Sequence, residues 1–212
     1  MIGNQAVNGL TQLLVKDIAT YEHSIRIGKM AKLMAAYLNY DEQQTQKLIA
    51  GCCLHDMGKV HIHESILKKK SSLTQEEWKF MKRHAFFGVQ MAIMEGITDQ
   101  DIIDTIHYHH ERWDGTGYPT GLQGTDIPLY ARICSILDAF DSMISDLPYK
   151  KGMSIQHARE ELIRQSYSQF DGRYVQVFLT IQDIILAYIQ RDSVHSASYF
   201  ARSVYHPEIM QQ

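Results

Sequence analysis

Only four prolines (Pro119, Pro128, Pro148 and Pro207) interrupt 212 residues in which apolar side chains recur mostly at three- and four-residue intervals. That spacing lines one face of a helix, and no convincing period-two strand pattern competes with it. Residues 21–38 carry Ile25, Ile27, Met30, Ala31, Leu33 and Met34, with Arg26, Lys29 and Lys32 between them. Asp41 is placed as the N-cap of a second helix through Leu48, Ile49, Cys52 and Leu54. Thr74 and Glu77 make a capping-box pattern, which predicts one long helix through Trp78, Met81 and Met91. Further helices are expected over Asp101–Glu111, over Leu129–Ile144 behind Pro128, from Ser154, and over Tyr174–Ile189, the last covering the core. Two stretches read as irregular. Lys59–Ser72 is basic and small, and Trp113–Pro128 holds Gly115, Gly117, Gly121 and Gly124 with two prolines. The expectation is one all-α domain of about seven to nine helices.

Composition excludes more than it assigns. A chain that is 45% hydrophobic and 21% charged can bury a sizeable core. Its formal charge of −3 gives no electrostatic case for DNA or an anionic membrane. An anionic substrate would have to be held by a local cluster of charge such as metal ions. Cys52, Cys53 and Cys134 form no spaced framework and read as reduced, buried thiols. No signal-peptide pattern opens the chain and no apolar run approaches ~18 residues, so a cytoplasmic location is predicted.

Polar residues stand where these helices should bury apolar ones. His55 and Asp56 close the run Leu48–Leu54, His84 lies near Phe86 and Phe87, and His109 and His110 end the helix from Asp101. Asp138 sits between Leu137 and Ala139, and His23 occupies the start of the first strongly periodic helix. A buried carboxylate or imidazole is costly unless it is paired, hydrogen-bonded or bound to metal. Seven such groups from five segments point to a shared site. Imidazole with carboxylate suits iron, manganese or zinc, and no cysteine cluster indicates structural zinc. Sequence neighbours such as His55–Asp56 and His109–His110 can face one way only near a helix end, where the backbone turns.

Taken singly, each residue has a plainer reading. A lone histidine on an apolar face is more often a satisfied core residue than a ligand, and a lone helical Asp is more often a local hydrogen-bonding group. His61, His63, His157, His195 and His206 are assigned no role, and His107, two residues before His109, points off the ligand face. Lys68, Lys69 and Lys70 read as a solvated loop face. The combination carries the argument.

The order and dress of these residues resemble the HD superfamily of metal-dependent phosphohydrolases, and within it the HD-GYP branch. The motifs are Thr20-Tyr21-Glu22-His23-Ser24, Leu54-His55-Asp56-Met57-Gly58-Lys59, and His84 with Gly88 four residues on. The most specific is His109-His110-Glu111-Arg112-Trp113-Asp114-Gly115-Thr116-Gly117-Tyr118-Pro119, followed by Ile127-Pro128, Ala131-Arg132-Ile133 and Asp138-Ala139-Phe140-Asp141. The match runs from about Asp17 to Phe170.

That resemblance implies an HD-domain helical bundle that hydrolyses the phosphodiester of a cyclic dinucleotide, usually cyclic di-GMP, in bacterial signalling. It implies two divalent ions, iron or manganese foremost. One would be held by His23, His55 and Asp138, the other by His84, His109 and His110, with Asp56 bridging. Hydroxide attack from this two-metal centre would be in line with the departing ribose oxygen, and Lys59 would meet a phosphate oxygen. Tyr118 and Lys150 would contact substrate. The loop Gly117, Tyr118 and Pro119 would shape the pocket or dock a GGDEF-type partner. The expected boundaries are a leading helix over 1–16, the hydrolase domain over 17–190 and a tail over 191–212.

Three positions depart from the family. Ala19 stands where some members carry a Glu that recruits a third ion, which makes this a two-metal variant. Ser145-Asp146-Leu147-Pro148-Tyr149-Lys150 lacks the Arg usual at Leu147, losing a bidentate contact while Lys150 keeps a charge. Ala85 replaces a common proline without expected effect. Regulation is expected to come from elsewhere, since no receiver or sensory segment precedes the fold. Two alternatives stand beside this reading: a hydrolase of another nucleotide or phosphate ester, and a signalling module that binds ligand or partner with little catalysis. Oligomeric state is left open.

Overall fold

Ten α-helical segments carry the described residues, which contain no strand. The structure, a computed structural model, describes residues 3–146 and 151–192. Leu147, Lys150 and the tail from residue 193 therefore lie outside the described residues. The helices are α1 (Gly3–Lys16), α2 (Ile18–Tyr37), α3 (Glu42–Leu54), α4 (Glu64–Leu67), α5 (Gln75–Lys82), α6 (His84–Met94), α7 (Gln100–Tyr108), α8 (Leu129–Ile144), α9 (Ile155–Arg164) and α10 (Gly172–Asp192). Short α4 is a single turn, and each of the other nine has eight residues or more.

Local chemistry sets most of these boundaries. Asp41 caps α3 by accepting from Gln44 N, while the Gln44 side chain accepts from Asp41 N. Thr74 and Glu77 do the same for α5. Ser154 caps α9. Behind Pro128, α8 spans the expected residues.

Three expectations are corrected. The long helix from Thr74 breaks at Arg83, because the His84 ring takes the Met81 carbonyl oxygen at 2.8 Å from inside the turn. The helix expected over Asp101–Glu111 is capped by Asp99 and ends at Tyr108, before the two histidines. Lys59–Ser72 is more regular than its composition indicates. It carries part of a 3-10 turn, Met57–His61, and then α4, whose first turn His63 caps. At the other end α10 runs to Asp192.

Helix α2 packs against α3, α8 and α10, and α3 also packs against α7. Between them lies the core, with Met30, Met34, Leu48, Leu54, Ile133, Leu137 and Phe140 buried. Phe140 meets Phe178 of α10 edge-to-face at 4.7 Å, and Val175, Phe178 and Ile185 are buried, so α10 covers the core. Leu10 and Leu13 bring α1 into the same core. Each large apolar side chain contributes about 1.5–3 kcal/mol on burial. Ile133, Ile136, Leu137 and Phe140 thus outweigh the cost of carrying Asp138 and Asp141 on the same helix.

One close approach positions the site. A Cβ at Gly58 would lie 2.0 Å from the His84 carbonyl oxygen and 2.4 Å from Gly88 N. Only glycine lets the turn after Asp56 lie against the start of α6. That contact sets His55 and Asp56 beside His84. No helix among the described residues is long and apolar enough to cross a membrane.

Candidate metal centre

Helix ends leave unpaired carbonyls, and three histidines use them in the same way. His55, just past α3, places Nδ1 2.7 Å from the Cys52 carbonyl oxygen. His84 does so with Met81 at 2.8 Å and His109, just past α7, with Ile106 at 2.9 Å. A carbonyl only accepts, so each Nδ1 carries the proton and each Nε2 keeps its lone pair. The backbone thereby fixes both tautomer and ring direction, as outer partners of metal-bound histidines do.

Those lone pairs converge. His84 Nε2 lies 3.3 Å from His109 Nε2 and 3.1 Å from His110 Nε2. His84 and His109, both protonated at Nδ1, thus set two acceptor nitrogens 3.3 Å apart, which repel unless a cation lies between them. Protonation does not relieve them. Burial, with its histidine neighbours, holds His109 well below its ordinary value, and burial together with His84 brings His110 down to about 3. Burial also lowers His84.

Asp56 joins two groups. One oxygen is 3.4 Å from His84 Nε2, and the other is 3.4 Å from His55 Nε2 and 2.6 Å from Lys59 Nζ. Burial raises its carboxyl, but Lys59 and His55 outweigh burial and hold it well below the carboxylate range. Ligand atoms of Asp56, His84, His109 and His110 lie within 4.8 Å of one another, as do those of His23, His55 and Asp56. His55 Nε2 and Asp56 Oδ1 are buried without a hydrogen-bond partner. Leaving such groups bare costs about 1–3 kcal/mol each, more when charged. The donor set and its orphaned atoms fit metal ions.

His23 and Asp138 enter differently. His23 Nε2 is 3.1 Å from Asp138 Oδ1, and Nδ1 is 2.7 Å from Asp141 Oδ2. Burial lowers His23, yet the two carboxylates prevail and push it up to about 9. Asp138 is tied to the cluster through this ring. Asp141 is buried and gripped by Arg26, whose Nε and Nη2 each donate at 2.8 Å.

Above the cluster opens a cleft of about 560 Å³. Lys59, Tyr118 and Ala19 line it. The Tyr118 ring stacks on His110 at 4.7 Å. Gly117 has no room for a Cβ, which would meet Arg112 N at 2.4 Å. Pro119, joined to Tyr118 by a cis peptide bond, is exposed. Buried Glu111 closes the loop from below, accepting from Thr120 N, Gly121 N and Leu122 N at 2.7–3.1 Å. Lys150 lies outside the described residues, and Ala85 is buried.

The structure thus brings together all seven expected ligands, with Lys59 and the Tyr118 loop beside them. Sequence reasoning assigned no role to Arg26, Asp141 or Glu111. The signal was faint: Arg26 follows His23, and Asp141 follows Asp138, by one helical turn.

Comparison with known proteins identifies the family. A family model described as "HD domain" matches residues 9–174. A cyclic di-GMP phosphodiesterase of Thermotoga maritima is 31% identical over 87% of this chain and 50% of its own length. A 3'3'-cGAMP-specific phosphodiesterase 2 of Vibrio cholerae is 34% identical over 79% of this chain and 32% of its own. Among solved structures, an HDG"Y"P protein from Bdellovibrio bacteriovorus superposes with a TM-score of 0.62 at 26% identity, covering 76% of this chain and 51% of that one. The chain spans half or less of the length of these curated relatives.

Proposed function

This chain belongs to the HD-domain family, in its HD-GYP branch, and on that premise we propose that it is a metal-dependent phosphodiesterase of cyclic dinucleotides, cyclic di-GMP foremost. The observation that carries the reading is the pair of bare, buried acceptors, His55 Nε2 and Asp56 Oδ1, at the junction of two converging ligand sets. His23, His55 and Asp138 would hold one ion and His84, His109 and His110 the other, with Asp56 shared between the two sets. Two divalent ions, iron or manganese, would supply Lewis-acid activation of water and charge neutralisation at the phosphoryl group.

The protein's own groups do the rest. Carbonyl-anchored rings keep their lone pairs aimed inward without reorganisation. Asp141, held by Arg26, orients His23. Lys59 is already 2.6 Å from Asp56 and meets a non-bridging phosphate oxygen with a compact charge. Tyr118, stacked on His110, walls the cleft against solvent, and Gly117 and Pro119 extend that wall. Lys150 adds a cation for substrate. The exposed side of the same loop takes a GGDEF-type protein partner. In this reading the hydrolase domain is 17–190, with 1–16 leading it and 191–212 as tail.

The test is anaerobic purification with metal analysis, followed at once by a cyclic di-GMP hydrolysis assay on that sample. Two ions per chain and product formation are expected. Two ions without product would move the substrate to another phosphoester, 3'3'-cGAMP first, since a relative is named for it. Leu147, in place of the family's Arg, favours a second reading as a ligand-binding signalling module. Asp56→Ala would then abolish metal content and leave ligand binding intact.

A further inference from the structure

The cleft has two unlike flanks. Glu22, Arg26, Ser142 and Asp146 make one side charged or hydroxylic, while Leu67, Trp78 and Met81 make the other apolar. Trp78 stands out on the apolar flank. It is 47% exposed and lies outside the hydrophobic core cluster, although an indole is among the largest apolar groups a fold can bury. The chain's other tryptophan shows the contrast. Trp113 is spent on structure: its ring meets Tyr167 and Arg173, and its backbone N–H donates to the Gln169 carbonyl.

Trp78 is nevertheless held in place. Lys82, one turn further along α5, sets its ammonium 5.8 Å from the Trp78 ring centre and 4.9 Å from that of Tyr118. One cation shared between two electron-rich rings keeps the indole beside the tyrosine. Trp78 and His84 line the same cleft, so a base joined through its ribose to a phosphate over the ligand cluster can lie on the indole.

We propose that Trp78 is the seat of a nucleobase, which stacks on the indole with Leu67 and Met81 against its edge. The proposal rests on the cyclic-dinucleotide reading of the metal centre and names the group that binds the part of the substrate not undergoing reaction. Such stacking is sequence-tolerant, because every base has a π-face. It therefore contributes affinity, and the choice between bases falls to the polar flank.

The metal-loaded protein tests this in two ways. Trp78→Ala is expected to raise KM for cyclic di-GMP roughly 5- to 100-fold, with a much smaller change in kcat, and Trp78→Phe to recover most of the loss. Independently of turnover, a phosphorothioate analogue of cyclic di-GMP should quench the wild-type tryptophan fluorescence with saturation. Trp78→Phe should bind the analogue and lose that quench. Turnover with an unchanged KM in Trp78→Ala, and no quench in the wild type, overturns the nucleobase seat and leaves the phosphodiesterase reading standing. A saturable quench that Trp78→Phe abolishes, in a protein that hydrolyses no cyclic dinucleotide, keeps the seat and sinks the hydrolase. Neither turnover nor quench removes both.

Discussion

Two buried carboxylates in this molecule share chemistry and differ in purpose. Asp171, at the start of α10, accepts from Arg173 N at 3.1 Å, from Arg173 Nε and Nη2 at 3.0 and 2.7 Å, and from Arg132 Nη1 at 2.8 Å. Both of its oxygens are fully engaged within the protein. Asp56 is equally buried, yet Oδ1 has no hydrogen-bond partner and the adjoining His55 Nε2 is also bare. Both carboxyls lie below their ordinary range, so acidity does not separate them. Satisfaction does. Asp171 draws all its partners from the fold, whereas Asp56 keeps one oxygen without a partner, as the proposed metal role requires.

The sharpest way to break that comparison is Asp56→Asn. It should empty both metal positions and lower hydrolysis by more than the ~100-fold upper figure for outer partners, with helix content by circular dichroism unchanged. Metal retention in that variant would mean that Asp56 is not shared. Asp141→Asn comes next. It should weaken metal at the His23 half about 10- to 100-fold, by titration with metal analysis, and leave the His84 half loaded. Equal loss from both halves would contradict a role confined to orienting His23.

Asp171→Ala should do the reverse, lowering urea-unfolding stability by about 3 kcal/mol because Arg132, whose side chain is only 11% exposed, loses its carboxylate partner. Metal stoichiometry should hold, and its loss would erase the distinction between the two carboxylates. The smallest effect is in pH. Burial raises the Asp171 carboxyl, but Arg173 and Arg132 lower it further. Its stabilisation is therefore complete above the unfolded value of about 3.9 and is lost as pH falls through the depressed folded value. Asp171→Asn should show a shallower loss of stability on acidification than the parent, and equal slopes would remove Asp171 from the acid response.

The same contrast explains what could be read in advance. Ligands were legible as polar interruptions of apolar helical runs, and the pairs His55–Asp56 and His109–His110 as residues that need a helix end. Helix α8, the Asp41 cap and the Thr74 capping box follow from signals within a few residues of each other. The break at Arg83 does not, because helical periodicity continues on both sides and the cause is one imidazole turned back on a carbonyl. Arg26 and Asp141 were hidden for another reason. His23 and Asp141 are 118 residues apart, and no local pattern reports a contact over that distance.

Glu111 adds a mechanical point. Its carboxylate grips three consecutive amides, 120–122, and its backbone is bonded directly to His110. Tension on the outer loop thus reaches His110 through one side chain and one peptide link, with no slack segment between. The loop is a short lever whose fulcrum is the neighbour of an imidazole in the centre.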